Sequence, residues 1–113
     1  MTMMKAVVFR GTGQIGIEEV PKPVPGPGEA VIKITATTIC GTDVHILRGE
    51  YPVEPGRIIG HEPVGVLAEV GSEAVLPTGV AKGARVFLGS ILTCGECRWC
   101  MEGFQNLCEH HLL

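Results

Sequence analysis

The chain has 113 residues, of which 45% are hydrophobic and 19% charged, and its formal net charge is −3. That length allows one domain with its own core. The nine Lys and Arg residues are scattered, which excludes a basic nucleic-acid surface, and no apolar run approaches the length of a membrane helix.

The start, MTMMKAVVFRG, carries only a four-residue apolar run after Lys5, too short for a secretory signal. With five cysteines and no such signal, the chain is expected to be cytoplasmic. MMKAVVF (3–9) and QIGIEEV (14–20) read as strands. Between and within them Gly11, Gly13 and Gly16 spell G-x-G-x-x-G. A dinucleotide fingerprint needs a helix immediately afterwards, so that its N-terminus meets the pyrophosphate. Here IEEVPKPVPGPG follows, so the glycines are expected to form a turn between two strands.

PKPVPGPG (21–28) is expected to be a stiff, extended connector. EAVIKITATTI (29–39) reads as a longer strand rich in β-branched residues. GTDVHILRG (41–49) can form one or two helical turns, capped by Thr42 or Asp43. RIIG (57–60), PVGVLAEVG (63–71) and ARVFLGS (84–90) complete the predicted strands. Many short strands separated by Gly/Pro turns predict a mainly β fold, a barrel or sandwich with irregular loops.

The densest chemistry lies near the end, in TCGECRWCMEGFQNLCEH. Cys94, Cys97, Cys100 and Cys108 follow the spacing C-x2-C-x2-C-x7-C. Four thiolates at such short spacing suit a closed tetrahedral zinc site, with Gly95 and Gly103 easing the wrap of the backbone. Two disulfides are the competing reading, but overlapping C-x2-C turns converge on a shared metal better than on separate bridges. Such a site leaves no position for substrate, so it speaks to folding. His110 and His111, just beyond it, read either as opportunistic metal ligands or, the favoured reading, as a frayed tail.

A second set is dispersed. Cys40 follows a predicted strand, and His61 and Glu62 stand between two others, 21 residues on. Cysteine, histidine and carboxylate from separate strand ends are the donor types of an open, catalytic zinc site. Each alone is weak, because lone cysteines and histidines are usually structural or solvated.

In CGTDVHILRG, GHEPVGVLAEVG and the four-cysteine spacing, taken in this order, the chain resembles the N-terminal GroES-like catalytic domain of zinc-dependent medium-chain alcohol dehydrogenases. The resemblance implies a partly open β-barrel with short helical turns, spanning 1–113, with a zinc lobe at 94–108. It implies that Cys40 and His61 bind catalytic zinc and that Glu62 is the carboxylate that can approach it. Asp43 is implied to orient His61, Thr42 to take the substrate proton and His45 to pass it outward. NAD or NADP is the implied cofactor, and a small alcohol, aldehyde or ketone the implied substrate. Ala84 departs from the family, which commonly has Asp there.

No strand–glycine loop–helix unit occurs in the sequence, so the nucleotide-binding domain is expected to be absent and the chain inactive by itself. The third firm ligand of the family's catalytic zinc, a Cys or Asp, would also come from outside this chain. The other expectation is a free-standing zinc-binding or oligomerisation module without catalysis. In either case the high apolar fraction implies a covered surface, and a homo-oligomer is expected.

Overall fold

A computed structural model of the chain describes residues 1–111. Leu112 and Leu113, the last two residues of the expected domain, lie outside the described residues. Two antiparallel strands open the fold, β1 (Met3–Gly11) and β2 (Gln14–Pro21). Their register runs from Met3 opposite Pro21 to Gly11 opposite Gln14, with an irregularity between Phe9 and Gly11. The glycine-rich run is thus a hairpin turn, as its sequence context predicts; Gly13 sits in the left-handed region at φ +73°.

The second sheet has the order β3 (Ala30–Thr37), β4 (Pro63–Val70) and β5 (Arg85–Phe87), all antiparallel. The fold is mainly β, and the two sheets do not close into a barrel. Gly65 on β4 faces β3 so closely that a Cβ there would overlap the Lys33 carbonyl oxygen. A side chain at that position would force the pair apart.

Two expected strands are shorter than the sequence suggests. RIIG is not a strand; only Ile58 forms an isolated bridge, to Val8. Its backbone nonetheless lines β1, with Phe9 N–H donating to the Arg57 carbonyl at 2.9 Å and Ile59 N–H to the Val7 carbonyl at 3.0 Å. ARVFLGS keeps only Arg85–Phe87 in the ladder. Apolar residues next to glycine-rich turns predicted pairing in both places, but each segment leaves its neighbour after a few residues.

The short helix α1 (Gly41–Leu47) follows β3. Its cap is Cys40 rather than Thr42 or Asp43: the Thr42 N–H donates to Cys40 Sγ at 3.3 Å, and the Cys40 N–H donates to Asp43 Oδ2 at 2.9 Å. The reciprocal pattern is that of a capping box, with a thiol in place of a hydroxyl. Ile46 is the buried residue of the helix, and Gly13 N–H donates to the Leu47 carbonyl, tying the hairpin to the helix end.

The core is small. Val8, Phe9, Ile46 and Leu67 are its buried aliphatic and aromatic members, and the other buried residues among those described are Gly65 and three cysteines of a separate cluster. Several large apolar side chains stand exposed, Phe87 by 80% and Ile39 by 84%.

Candidate functional site

The four-cysteine segment folds around its own sulfurs. Cys97 precedes α2 (Arg98–Met101), Cys100 lies on it, and Cys108 follows a 3-10 turn at Gln105–Leu107. One sulfur from each of Cys94, Cys97, Cys100 and Cys108 lies within 4.8 Å of all the others. All are free thiols, and the Cys94 sulfur is 3.6 Å from that of Cys108 and 4.0 Å from that of Cys100. A disulfide needs about 2.05 Å. Sulfurs sharing one tetrahedral zinc at about 2.3 Å would stand roughly 3.8 Å apart, and the observed separations bracket that value. Trp99 packs against the cluster and meets Phe104 edge to face, with ring centroids 6.4 Å apart.

The electrostatics of the lobe come from its backbone. Cys94 accepts from the Cys97 N–H at 3.3 Å, and Cys108 accepts from the N–H of Cys94 at 3.4 Å and of His110 at 3.3 Å. The backbone N–H of Glu96, then the His110 imidazole and the Cys97 N–H, hold the Cys94 thiol down to about 6. Burial pushes Cys100 up to about 11. Arg98, the side chain best placed in sequence to offset thiolate charge, instead pairs with Glu102 at 3.1 Å and lies over the Trp99 ring.

His110 and His111 are not a loose tail. The Cys94 thiolate raises the pKa of His110, and His111 Nδ1 donates to the Cys108 carbonyl at 2.9 Å. The sequence held no signal for this beyond their nearness to Cys108.

The second site is built where β3 ends and β4 begins. The register sets Thr37 opposite Pro63, so the residues just after the first and just before the second become neighbours. Gly60, at φ +108°, turns the chain immediately ahead of His61, a conformation that an L side chain would strain. Cys40 Sγ lies 3.0 Å from His61 Nε2, and Glu62 offers a carboxylate oxygen within 4.8 Å of both. Glu62 in turn accepts a hydrogen bond from the Thr38 hydroxyl.

Asp43 supplies the test of whether a metal suits these residues. Its Oδ1 is buried and has no hydrogen-bond partner, and it lies 3.7 Å from His61 Nδ1. A His61 ring protonated at Nδ1 turns that proton toward the orphaned oxygen and leaves the Nε2 lone pair beside the Cys40 sulfur. A thiolate, an imidazole nitrogen and a carboxylate, with the imidazole backed by a second carboxylate, form a donor set that fits zinc.

Thr42 is half-buried beside Cys40. His45 is exposed, and its Nδ1 donates to Glu50 Oε2 at 2.5 Å. No hydrogen bond joins Thr42 to His45 among the described residues. An open hollow of about 280 Å³ adjoins the site, lined by His61, Glu62, Pro63, Val64, Phe87 and Leu88. Neither Thr38 nor Glu50 stands out in the sequence, because a threonine in a predicted strand and a glutamate in a loop carry no spacing signal.

Among the described residues no helix is long and apolar enough to cross a membrane. A family model for the alcohol dehydrogenase GroES-like domain matches residues 26–113. An alcohol dehydrogenase of Cupriavidus necator is 53% identical over 89 residues, covering 79% of this chain and 24% of the relative. An L-threonine 3-dehydrogenase of Xanthomonas oryzae pv. oryzae is 46% identical over 112 residues, covering 95% of this chain and 32% of the relative. A solved structure from Sinorhizobium meliloti, assigned as a zinc-binding dehydrogenase and bound to NADP, superposes with a TM-score of 0.82 at 40% identity. That match covers 98% of this chain and 32% of the other. The chain therefore spans about a quarter to a third of the length of these relatives.

Proposed function

Since the chain belongs to the alcohol dehydrogenase GroES-like domain family, we propose that it is the metal-bearing catalytic portion of an NAD(P)-dependent alcohol dehydrogenase. It would hold a structural zinc on Cys94, Cys97, Cys100 and Cys108, and an open zinc centre on Cys40, His61 and Glu62. The observation that carries this reading is the Cys40–His61 pair, 3.0 Å apart, with the buried Asp43 oxygen behind the imidazole.

When bound, zinc would supply Lewis acidity toward an alcohol oxygen, and a nicotinamide cofactor would supply the redox chemistry. The chain's own residues do the rest. Cys40, His61 and Glu62 would hold the metal, and Asp43 would hold the His61 ring and its tautomer. The Thr42 hydroxyl, two residues on from Cys40, takes the substrate proton. His45 delivers it to solvent, with Nδ1 occupied by Glu50 and Nε2 left to exchange protons. Phe87 and Leu88 make one side of the substrate approach apolar.

Positioning is a large part of the rate of hydride transfer, and this chain has no phosphate-binding glycine loop. The 113-residue chain alone is expected to show no NAD(P)-dependent alcohol oxidation, and adding a nucleotide-binding domain with a further metal ligand should bring turnover. In that combined enzyme Thr42→Ala should retain zinc but slow proton release, by about 100-fold if Thr42 carries the proton. Zinc-dependent turnover by the chain alone, abolished by Cys40→Ser, would refute the division of labour.

A second reading is a zinc module that associates without catalysis. The exposure of Ile39 and Phe87 near the open centre favours it. Sedimentation velocity should then show self-association at micromolar concentration, weakened by Phe87→Glu. A monomer at every concentration, unchanged by Phe87→Glu, would dispose of this reading.

A further inference from the structure

The Glu62 carboxylate is the most exposed and least constrained of the three donors at the open centre. Its backbone stands just ahead of β4, but a glutamate side chain has three rotatable bonds and this one is exposed. Left unheld, such a side chain turns outward to water as readily as toward the Cys40 sulfur and the His61 ring. One contact opposes this: the Thr38 hydroxyl, just beyond β3, donates to Glu62 Oε2 across the junction of the two strands. Thr38 is two residues before Cys40, so the segment that presents the thiol also grips the carboxylate.

We propose that Thr38 is a positioning residue for the open metal centre. By holding Glu62 Oε2, it fixes the carboxylate beside Cys40 and His61, where one of its oxygens lies within 4.8 Å of both donors. This makes the centre a three-donor rather than a two-donor site in this chain. A hydroxyl suits the role better than a cation, because it fixes direction without neutralising the carboxylate charge that a metal needs. The inference rests on the reading of Cys40, His61 and Glu62 as metal ligands.

The test is cobalt(II) titration of the chain after the four-cysteine lobe has been filled with zinc. Binding is followed by the thiolate-to-cobalt absorption of Cys40 and, in every variant including Cys40→Ser, by equilibrium dialysis. Thr38→Val should weaken cobalt binding roughly 10-fold, and Thr38→Ser should restore it. In a Glu62→Gln background, Thr38→Val should have no further effect, because the carboxylate it positions is gone. Unchanged or tighter binding by Thr38→Val, or the same 10-fold loss in the Glu62→Gln background, overturns the role of Thr38. Cys40→Ser serves as the control: if it binds cobalt as the parent does, the open centre itself is misassigned and the inference falls with it. Loss of binding in Cys40→Ser beside an unaffected Thr38→Val removes only the Thr38 assignment.

Discussion

Chelating the metal from the four-cysteine lobe is expected to unfold residues 94–108 while leaving both sheets intact. The lobe has little else to hold it. Its helix α2 has four residues and its 3-10 turn three, and isolated helices below about 12–15 residues are marginal in water. Its buried residues are Cys97, Cys100 and Cys108, with Trp99 and Cys94 packed on them. Structural zinc in small peptides contributes about 10–16 kcal/mol at neutral pH, far more than this cluster can supply by burial.

The protons give the sign of the pH dependence. Zinc binds thiolates. At pH 7 Cys94, near 6, is already ionised, whereas Cys100, near 11, must lose its proton to the solvent as the metal enters. Binding should therefore release protons at neutral pH and weaken as the pH falls, most steeply below about 6, where Cys94 also protonates. Trp99 is the single tryptophan of the chain, so its fluorescence reports on this lobe alone. Confirmed removal of zinc with no change in Trp99 emission or in amide exchange over 94–108 would mean that the lobe stands without metal.

Cys40→Ser is expected to empty the open centre and, in an enzyme completed by a nucleotide-binding domain, to reduce turnover to background. The sulfur has two tasks here. It is a soft donor facing His61 Nε2, and it caps α1 by accepting from the Thr42 N–H. Serine can keep the cap but is a poor zinc ligand, so the helix should survive while metal binding fails. Asp43→Asn separates the same two tasks at the neighbouring residue. Its amide oxygen can still accept from the Cys40 N–H, while the negative charge behind His61 is lost. Metal affinity should fall about 10–100-fold with little change in thermal stability. Retention of full affinity in Asp43→Asn would show that the buried oxygen does not serve the imidazole.

The two sites differ in how plainly the sequence shows them. The lobe is legible because its ligands are local: two overlapping C-x2-C turns and a fourth cysteine within one short loop. The open centre is only partly so. Cys40 and His61 meet because β3 and β4 pair with Thr37 opposite Pro63, and that register is a tertiary fact. The sequence points to Thr42 or Asp43 as the cap because a thiol is a weak acceptor, although Asp43, three residues after Cys40, carries the capping-box spacing. Thr38, Glu50 and His110 act through space on a carboxylate, an imidazole and a thiolate, and nothing in their spacing marks them. RIIG is apolar enough for a strand, but it follows β1 as an irregular edge with a single bridge.

Zinc K-edge X-ray absorption at one and at two equivalents of zinc addresses the central claim, that this chain carries two chemically different metal centres. The first equivalent should give a shell of sulfur alone at about 2.3 Å, from Cys94, Cys97, Cys100 and Cys108. The second should add nitrogen and oxygen scatterers at about 2.0–2.2 Å, and those should vanish in Cys40→Ser. A mixed shell at the first equivalent, or a second equivalent whose shell is indifferent to Cys40→Ser, would contradict it.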